Sequence, residues 1–210
     1  MARKSLPLIA IIAATLGAPA WAHHPLAGKP MTDFHDGLLS GIGHPVLGFD
    51  HLFFIIAVGL LSSQLRLPVR GICTYLAAMA AGSGASTLGF SSLLTEPVIA
   101  ISLIAAGGIV ASGKSQNRQT VLAIFTVFGL FHGFAFGDAI TAQESASASV
   151  LGGYLLGLSG IQFAVALGAA TLARFAAPTK NRFVGSMVAG AGLFIGLEMI
   201  EGPIVAALIG

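Results

Sequence analysis

The chain has 210 residues, of which 55% are hydrophobic and 9% charged, with a formal net charge of +2. A soluble domain averages roughly 25% charged residues, so this composition excludes a water-soluble domain and calls for an integral membrane protein. The 28 glycines suit close helix packing in lipid, and the single cysteine, Cys73, rules out an intrachain disulfide or thiolate cluster and reads as a small core residue.

Residues 1–22 read as a cleaved signal peptide: Arg3 and Lys4 make the basic start, Leu6 to Leu16 the apolar centre, and Ala20-Trp21-Ala22 the small-x-small cleavage site. Cleavage there leaves His23-His24-Pro25 as a mature N-terminus able to chelate a cation. Residues 23–45 then read as a short extracytoplasmic segment, polar and punctuated by Gly and Pro, with Asp33, His35 and Asp36 and an amphipathic turn over Phe34 to Ile42. Residues 46–210 read as a six-helix transmembrane domain with spans near 46–65, 70–90, 96–112, 119–137, 149–173 and 183–208. Pro68, Ser91-Ser92, Ser112-Gly113-Lys114, Gly137 to Ser149 and Pro178 mark the breaks, and Glu96-Pro97 opens the third span. The predicted fold is an all-α membrane protein with N-out, C-out topology in a bacterial inner membrane.

Two arguments agree on that orientation. A cleaved signal peptide leaves the N-terminus outside, and the positive-inside rule then wants Lys and Arg after spans one, three and five. Those loops carry Arg66 and Arg70, Lys114 and Arg118, and Arg174, Lys180 and Arg182; only Lys29 of the mature chain falls outside. All eight acids and all six histidines fall on the outer side or in the outward halves of the spans. A cation-attracting vestibule would segregate acids this way; a merely polar rim is the bland alternative.

The chemistry concentrates in Gly43-His44-Pro45-Val46-Leu47-Gly48-Phe49-Asp50-His51. Ionisable groups in a span are costly and face a cavity, partner or ion, and imidazole with carboxylate suits nickel, cobalt, zinc or manganese. If Pro45 starts a regular helix, His44 stands about 9 Å from Asp50 and His51. Either His44 meets the ion first and passes it inward, or the chain unwinds at Gly48 as transporter helices do. Phe131-His132-Gly133-Phe134-Ala135-Phe136-Gly137-Asp138 repeats the His-x5-Asp spacing, so His132 and Asp138 are expected to face the first cluster from one leaflet. Glu198 and Glu201, one helical face ahead of Gly202-Pro203, are a further wall or a proton-coupling pair. Gln162 reads as interhelical glue.

The run His44-Pro45-x-x-Gly48-x-Asp50-His51, continuing to Ala57-Val58-Gly59, resembles the signature of the HupE/UreJ family; Phe131-His132-Gly133 and Tyr154-Leu155-Leu156-Gly157 support the likeness. That resemblance implies a six-span nickel or cobalt permease of the kind found with hydrogenase and urease genes, with His44, Asp50, His51 and His132 among its functional positions. Several family members carry a second histidine four residues after the one matching His132, where this chain has Phe136; that departure puts the metal's identity in question and leaves Asp138 as the expected second ligand. The leading expectation is thus a secondary permease importing a divalent nickel or cobalt ion, with no permanently bound cofactor, no enzymatic activity, no nucleotide-binding loop and no nucleic-acid partner. The alternatives are an intramembrane haem or redox protein ligated by His51 and His132, and a metal-binding accessory protein that moves no ion.

Overall fold

The computed structural model describes residues 30–66, 68–141 and 147–209, with side chains up to Glu201. The signal peptide, His23, His24, Lys29 and Glu144 lie outside the described residues. Those described form seven helices: α1 (Phe34–Leu47), α2 (Phe49–Gln64), α3 (Pro68–Thr87), α4 (Thr95–Ser112), α5 (Arg118–Thr141), α6 (Ala148–Phe175) and α7 (Pro178–Ile209).

Local chemistry sets most of the boundaries. The Asp33 carboxylate accepts the Asp36 N–H at 2.9 Å to cap α1, and Ser147 caps α6 through the Val150 N–H. Pro68 and Pro178 open α3 and α7, where their missing N–H costs nothing. Gly113 closes α4 at φ 65°, a left-handed position that glycine takes without a Cβ penalty.

The stretch expected to be a short polar segment is instead the fourteen-residue helix α1, which runs through Pro45. Its glycines are contact surface rather than breakers. A Cβ on Gly37 would stand 2.2 Å from the Val150 carbonyl oxygen, and one on Gly41 2.1 Å from that of Tyr154. Gly153 and Gly157 of α6 meet the Phe34 and Leu38 carbonyls just as closely. The two helices therefore touch backbone to backbone, the small-residue geometry that suits lipid, where apolar burial alone drives little association.

The same device builds two further pairs, α3 with α5 (Gly82 against Leu130, Gly133 against Met79) and α4 with α7 (Gly107 against Ala189, Gly192 against Ala100). Helix α2 runs among the three pairs and touches all six other helices. It is accordingly apolar on every side, with Phe54, Ile55, Ala57, Val58, Leu60 and Leu61 buried.

By length and composition, four of the described helices can cross a membrane: α4, α5, α6 and residues 178–201 of α7; the pair α1–α2 makes a fifth if counted as one broken span. Helix α3, which carries Arg70 and several Ser and Thr residues, falls short of that standard. Cys73 is exposed on α3, away from its packed face, contrary to its reading as a core residue. One further expectation needs correcting. The string Gly108 to Ser115 does fit the pattern G-x-x-x-x-G-K-[ST]. It lies across the C-terminal end of α4, however, whereas a phosphate-binding loop precedes the N-terminus of a helix, where N–H groups point at the anion. No nucleotide chemistry attaches to it.

Candidate metal site

The site is organised by one residue. At Gly48 the chain turns by 81° between α1 and α2. Its N–H closes α1 on the His44 carbonyl at 2.9 Å, and its own carbonyl accepts the first α2 bond from Leu52 at 2.9 Å. Its φ of −80° is open to any residue; what the glycine supplies is room beside the site. A Cβ would stand 3.0 Å from His51 Cδ2, 3.1 Å from Asp50 Oδ1 and 3.3 Å from the His44 carbonyl, so those groups would each have to give by a few tenths of an ångström.

The break settles the question of helix spacing. Pro45 does not start a helix. His44 sits in the last turn of α1 and Asp50 in the first turn of α2, the helix end whose dipole favours a carboxylate. The bend brings the His44 and His51 rings to 5.9 Å between centroids, and Asp50 Oδ2 lies 3.7 Å from His51 Nε2. Together with Glu198 of α7 these three residues line a cavity of about 500 Å³, walled by Phe49, Phe194 and Ile195. Glu201, one turn on, is exposed.

Beneath the cavity His51 meets His132 of α5, Nδ1 to Nδ1 at 3.0 Å, both rings buried. A hydrogen-bonded chain continues from the pair: Ser102 of α4, whose hydroxyl donates to the Ile99 carbonyl at 2.6 Å, lies 3.0 Å from His132 Nε2. Both nitrogens of His132 are therefore engaged, and Nε2 of His51 is on the side of Asp50. Holding an imidazole in one orientation toward a metal is the usual task of such outer partners. Aromatic rings complete the setting: Phe54 stacks on His132 at 4.3 Å, and Phe136 lies 4.3 Å from His51 and 5.4 Å from His44.

The predicted ligands do not all converge. Asp138 stands six residues beyond His132, about 9 Å along the helix, and accepts a short hydrogen bond from Ser86 of α3. The expectation that it joins His132 thus meets a carboxylate already engaged in holding α5 against α3. Among the described residues, no three of His44, Asp50, His51, His132 and Asp138 place donor atoms within 4.8 Å of one another; Asp33, His35 and Asp36, at the exposed start of α1, do. Ser102 and Ser86 were invisible to sequence reasoning, since a serine in an apolar run has no pattern to mark it.

The profile of the HupE / UreJ protein family matches residues 10–195. The chain belongs to the HupE/UreJ family. Among its relatives, Protein HupE of Rhizobium leguminosarum bv. viciae is 29% identical over 167 residues, which cover 77% of this chain and 86% of that relative. No solved structure matches. HupE/UreJ proteins are associated with nickel and cobalt transport serving hydrogenase and urease. The matched span takes in the Gly48 bend, the His51–His132 contact and the helix pairs around them.

Proposed function

We propose that the chain is a secondary permease that imports a divalent transition-metal ion, nickel or cobalt, across the bacterial inner membrane. The observation that carries this reading is the cavity lined by His44, Asp50, His51 and Glu198 directly above a buried histidine pair. Family membership supports it. In this reading a signal peptide is cleaved, which leaves His23 and His24 on the outer side of the membrane, and α2 to α7 are six crossings with N-out, C-out topology. At 1.5 Å per residue the sixteen residues of α2 reach about 24 Å, short of the roughly 30 Å hydrocarbon core. The Gly48 bend then lies below the outer surface, with α1 laid across the upper part of the bundle.

The chemistry follows from the geometry. A carboxylate pair at the mouth, Asp50 and Glu198, offsets the charge of an arriving dication, and His44 and His51 supply imidazole, which suits nickel and cobalt. The His51–His132 hydrogen bond closes the floor. An ion that takes a ring nitrogen at this contact has to displace the hydrogen bond between the two histidines, so binding there and opening are one event. A negative-inside potential favours inward transfer of a dication by about 4.6 kcal/mol per 100 mV. The bis-His haem alternative fits less well: two nitrogens 3.0 Å apart leave no room for an iron and its macrocycle between them.

Flux of nickel, cobalt, zinc, manganese and copper into proteoliposomes of the purified chain tests the proposal. Nickel or cobalt uptake above protein-free vesicles is expected; saturable binding without uptake of any of the five would replace the permease with an accessory metal-binding protein. Asp138→Asn keeps an oxygen for Ser86, and is expected to leave nickel or cobalt flux near wild type. A flux collapse at normal protein level would return Asp138 to the ligand set.

A further inference from the structure

Two buried side-chain polar atoms among the described residues have no hydrogen-bond partner: Gln162 Nε2 and Ser62 Oγ, both on wholly buried residues. A buried donor left dry is costly, and such groups in folded proteins are usually satisfied by internal water. Gln162 of α6 uses its other amide atom, Oε1, to accept from the Tyr75 hydroxyl of α3 at 2.5 Å. The Tyr75 ring in turn lies 6.4 Å from that of His132. Interhelical glue explains the Tyr75–Gln162 bond but leaves the amide nitrogen unexplained.

Ser62 lies one step further. A Cβ on Gly71 of α3 would stand 2.4 Å from Ser62 Oγ, so this glycine makes the room that the hydroxyl occupies. Gly71 and Tyr75 are one turn apart on α3, about 6 Å. Both unsatisfied residues therefore reach the same buried stripe of α3, Ser62 at Gly71 and Gln162 through the Tyr75 hydroxyl. Further along that stripe Ser83 donates to the Gly133 carbonyl and Ser86 to Asp138. Polar contacts thus line this face of α3 from the level of Asp138 to that of Ser62, through a core otherwise filled by Phe54, Phe125 and Met79.

We propose that Tyr75, Gln162 and Ser62 enclose buried water and form the inward continuation of the path below the His51–His132 pair. This rests on the permease reading above. The ligand class is water and, through it, the partly hydrated divalent cation. The Gln162 amide donates to water, while the hydroxyls of Tyr75 and Ser62 offer neutral oxygen. A nickel or cobalt ion passing from imidazole to neutral oxygen and water moves to weaker ligands, and release requires that weakening. It also accounts for an inward half with no acid and no histidine.

Hydroxyl-radical labelling of the full chain in nanodiscs, with radicals made by X-ray radiolysis of bound water, tests the proposal alongside flux. Tyr75 and Phe125 are both wholly buried; Tyr75 is expected to label several-fold faster. Gln162→Leu, and Ser62→Ala as the one-atom alternative, should slow Tyr75 labelling and lower metal flux several-fold while equilibrium metal binding persists. Tyr75 labelling no faster than Phe125, or wild-type flux in both variants, overturns the inner path. Wild-type vesicles that carry no metal would instead remove the permease reading, whereas a dry Tyr75 beside intact wild-type flux removes only this inference.

Discussion

Replacing His51 with alanine is expected to cut initial nickel or cobalt flux by at least about tenfold, the range lost when a metal-site partner is removed, at unchanged protein level. Two effects act together. The cavity loses the imidazole nearest Asp50, and His132 loses the hydrogen-bond partner its Nδ1 meets at 3.0 Å. Leaving one buried polar atom unsatisfied costs about 1–3 kcal/mol, enough to disturb the pocket as well as the ligand set. Asp50→Asn separates the two effects, because it keeps the side chain's size and removes only its charge. Both variants should lose flux if Asp50 and His51 are ligands. If His51→Ala alone fails, and does so with a lowered unfolding temperature, the pair is a packing element and the ion passes elsewhere. Wild-type uptake in both would end the assignment of these residues to the path.

Much of this site is legible in the order of the amino acids alone. The low charge content forces the membrane environment, and the repeated His-x5-Asp spacing in two apolar runs foreshadows the meeting of His51 and His132. The same repeat does not reveal what Asp138 meets. Spacing along a helix fixes depth, but which neighbour a side chain meets at that depth depends on the adjacent helix, and α3 presents Ser86 there. Ser102 is hidden for the same reason: its partner is thirty residues away on another helix.

Helix α1 escapes sequence reasoning for a different reason. Its glycines and Pro45 count as breakers on scales set in water, where glycine exposes backbone and gains no contacts. Packed against α6, the same glycines permit carbonyl contacts that any side chain would prevent. Cys73 shows the complementary failure. A helix that meets lipid is apolar outside as well as inside, so hydrophobicity does not tell an exposed residue from a core one. Length and composition alone support four or five of the six expected crossings, since α2 is short and α3 comparatively polar for spans.

The sharpest test of this packing compares two neighbouring glycines. Gly153→Ala is expected to destabilise the protein by about 1–3 kcal/mol, the range for overpacked contacts, and Gly152→Ala to be neutral or slightly stabilising. A Cβ at Gly153 would lie 2.1 Å from the Phe34 carbonyl oxygen and 3.0 Å from the Leu38 nitrogen, and both atoms are rigid helix backbone that has to move as a unit. At Gly152 a Cβ would meet nothing within 4 Å, and alanine is the better helix former by roughly 0.5–1 kcal/mol. Thermal unfolding in one detergent reads the difference directly. The consequence reaches the metal site, because α1 carries His44 and ends at Gly48. Pushing α1 off α6 moves His44 away from His51 and leaves the His51–His132 contact, made by α2 and α5, in place. Gly153→Ala should therefore weaken metal capture more than it disturbs the buried pair. Equal stability of the two variants would show that α1 does not depend on this face, and the bend at Gly48 would then need another support.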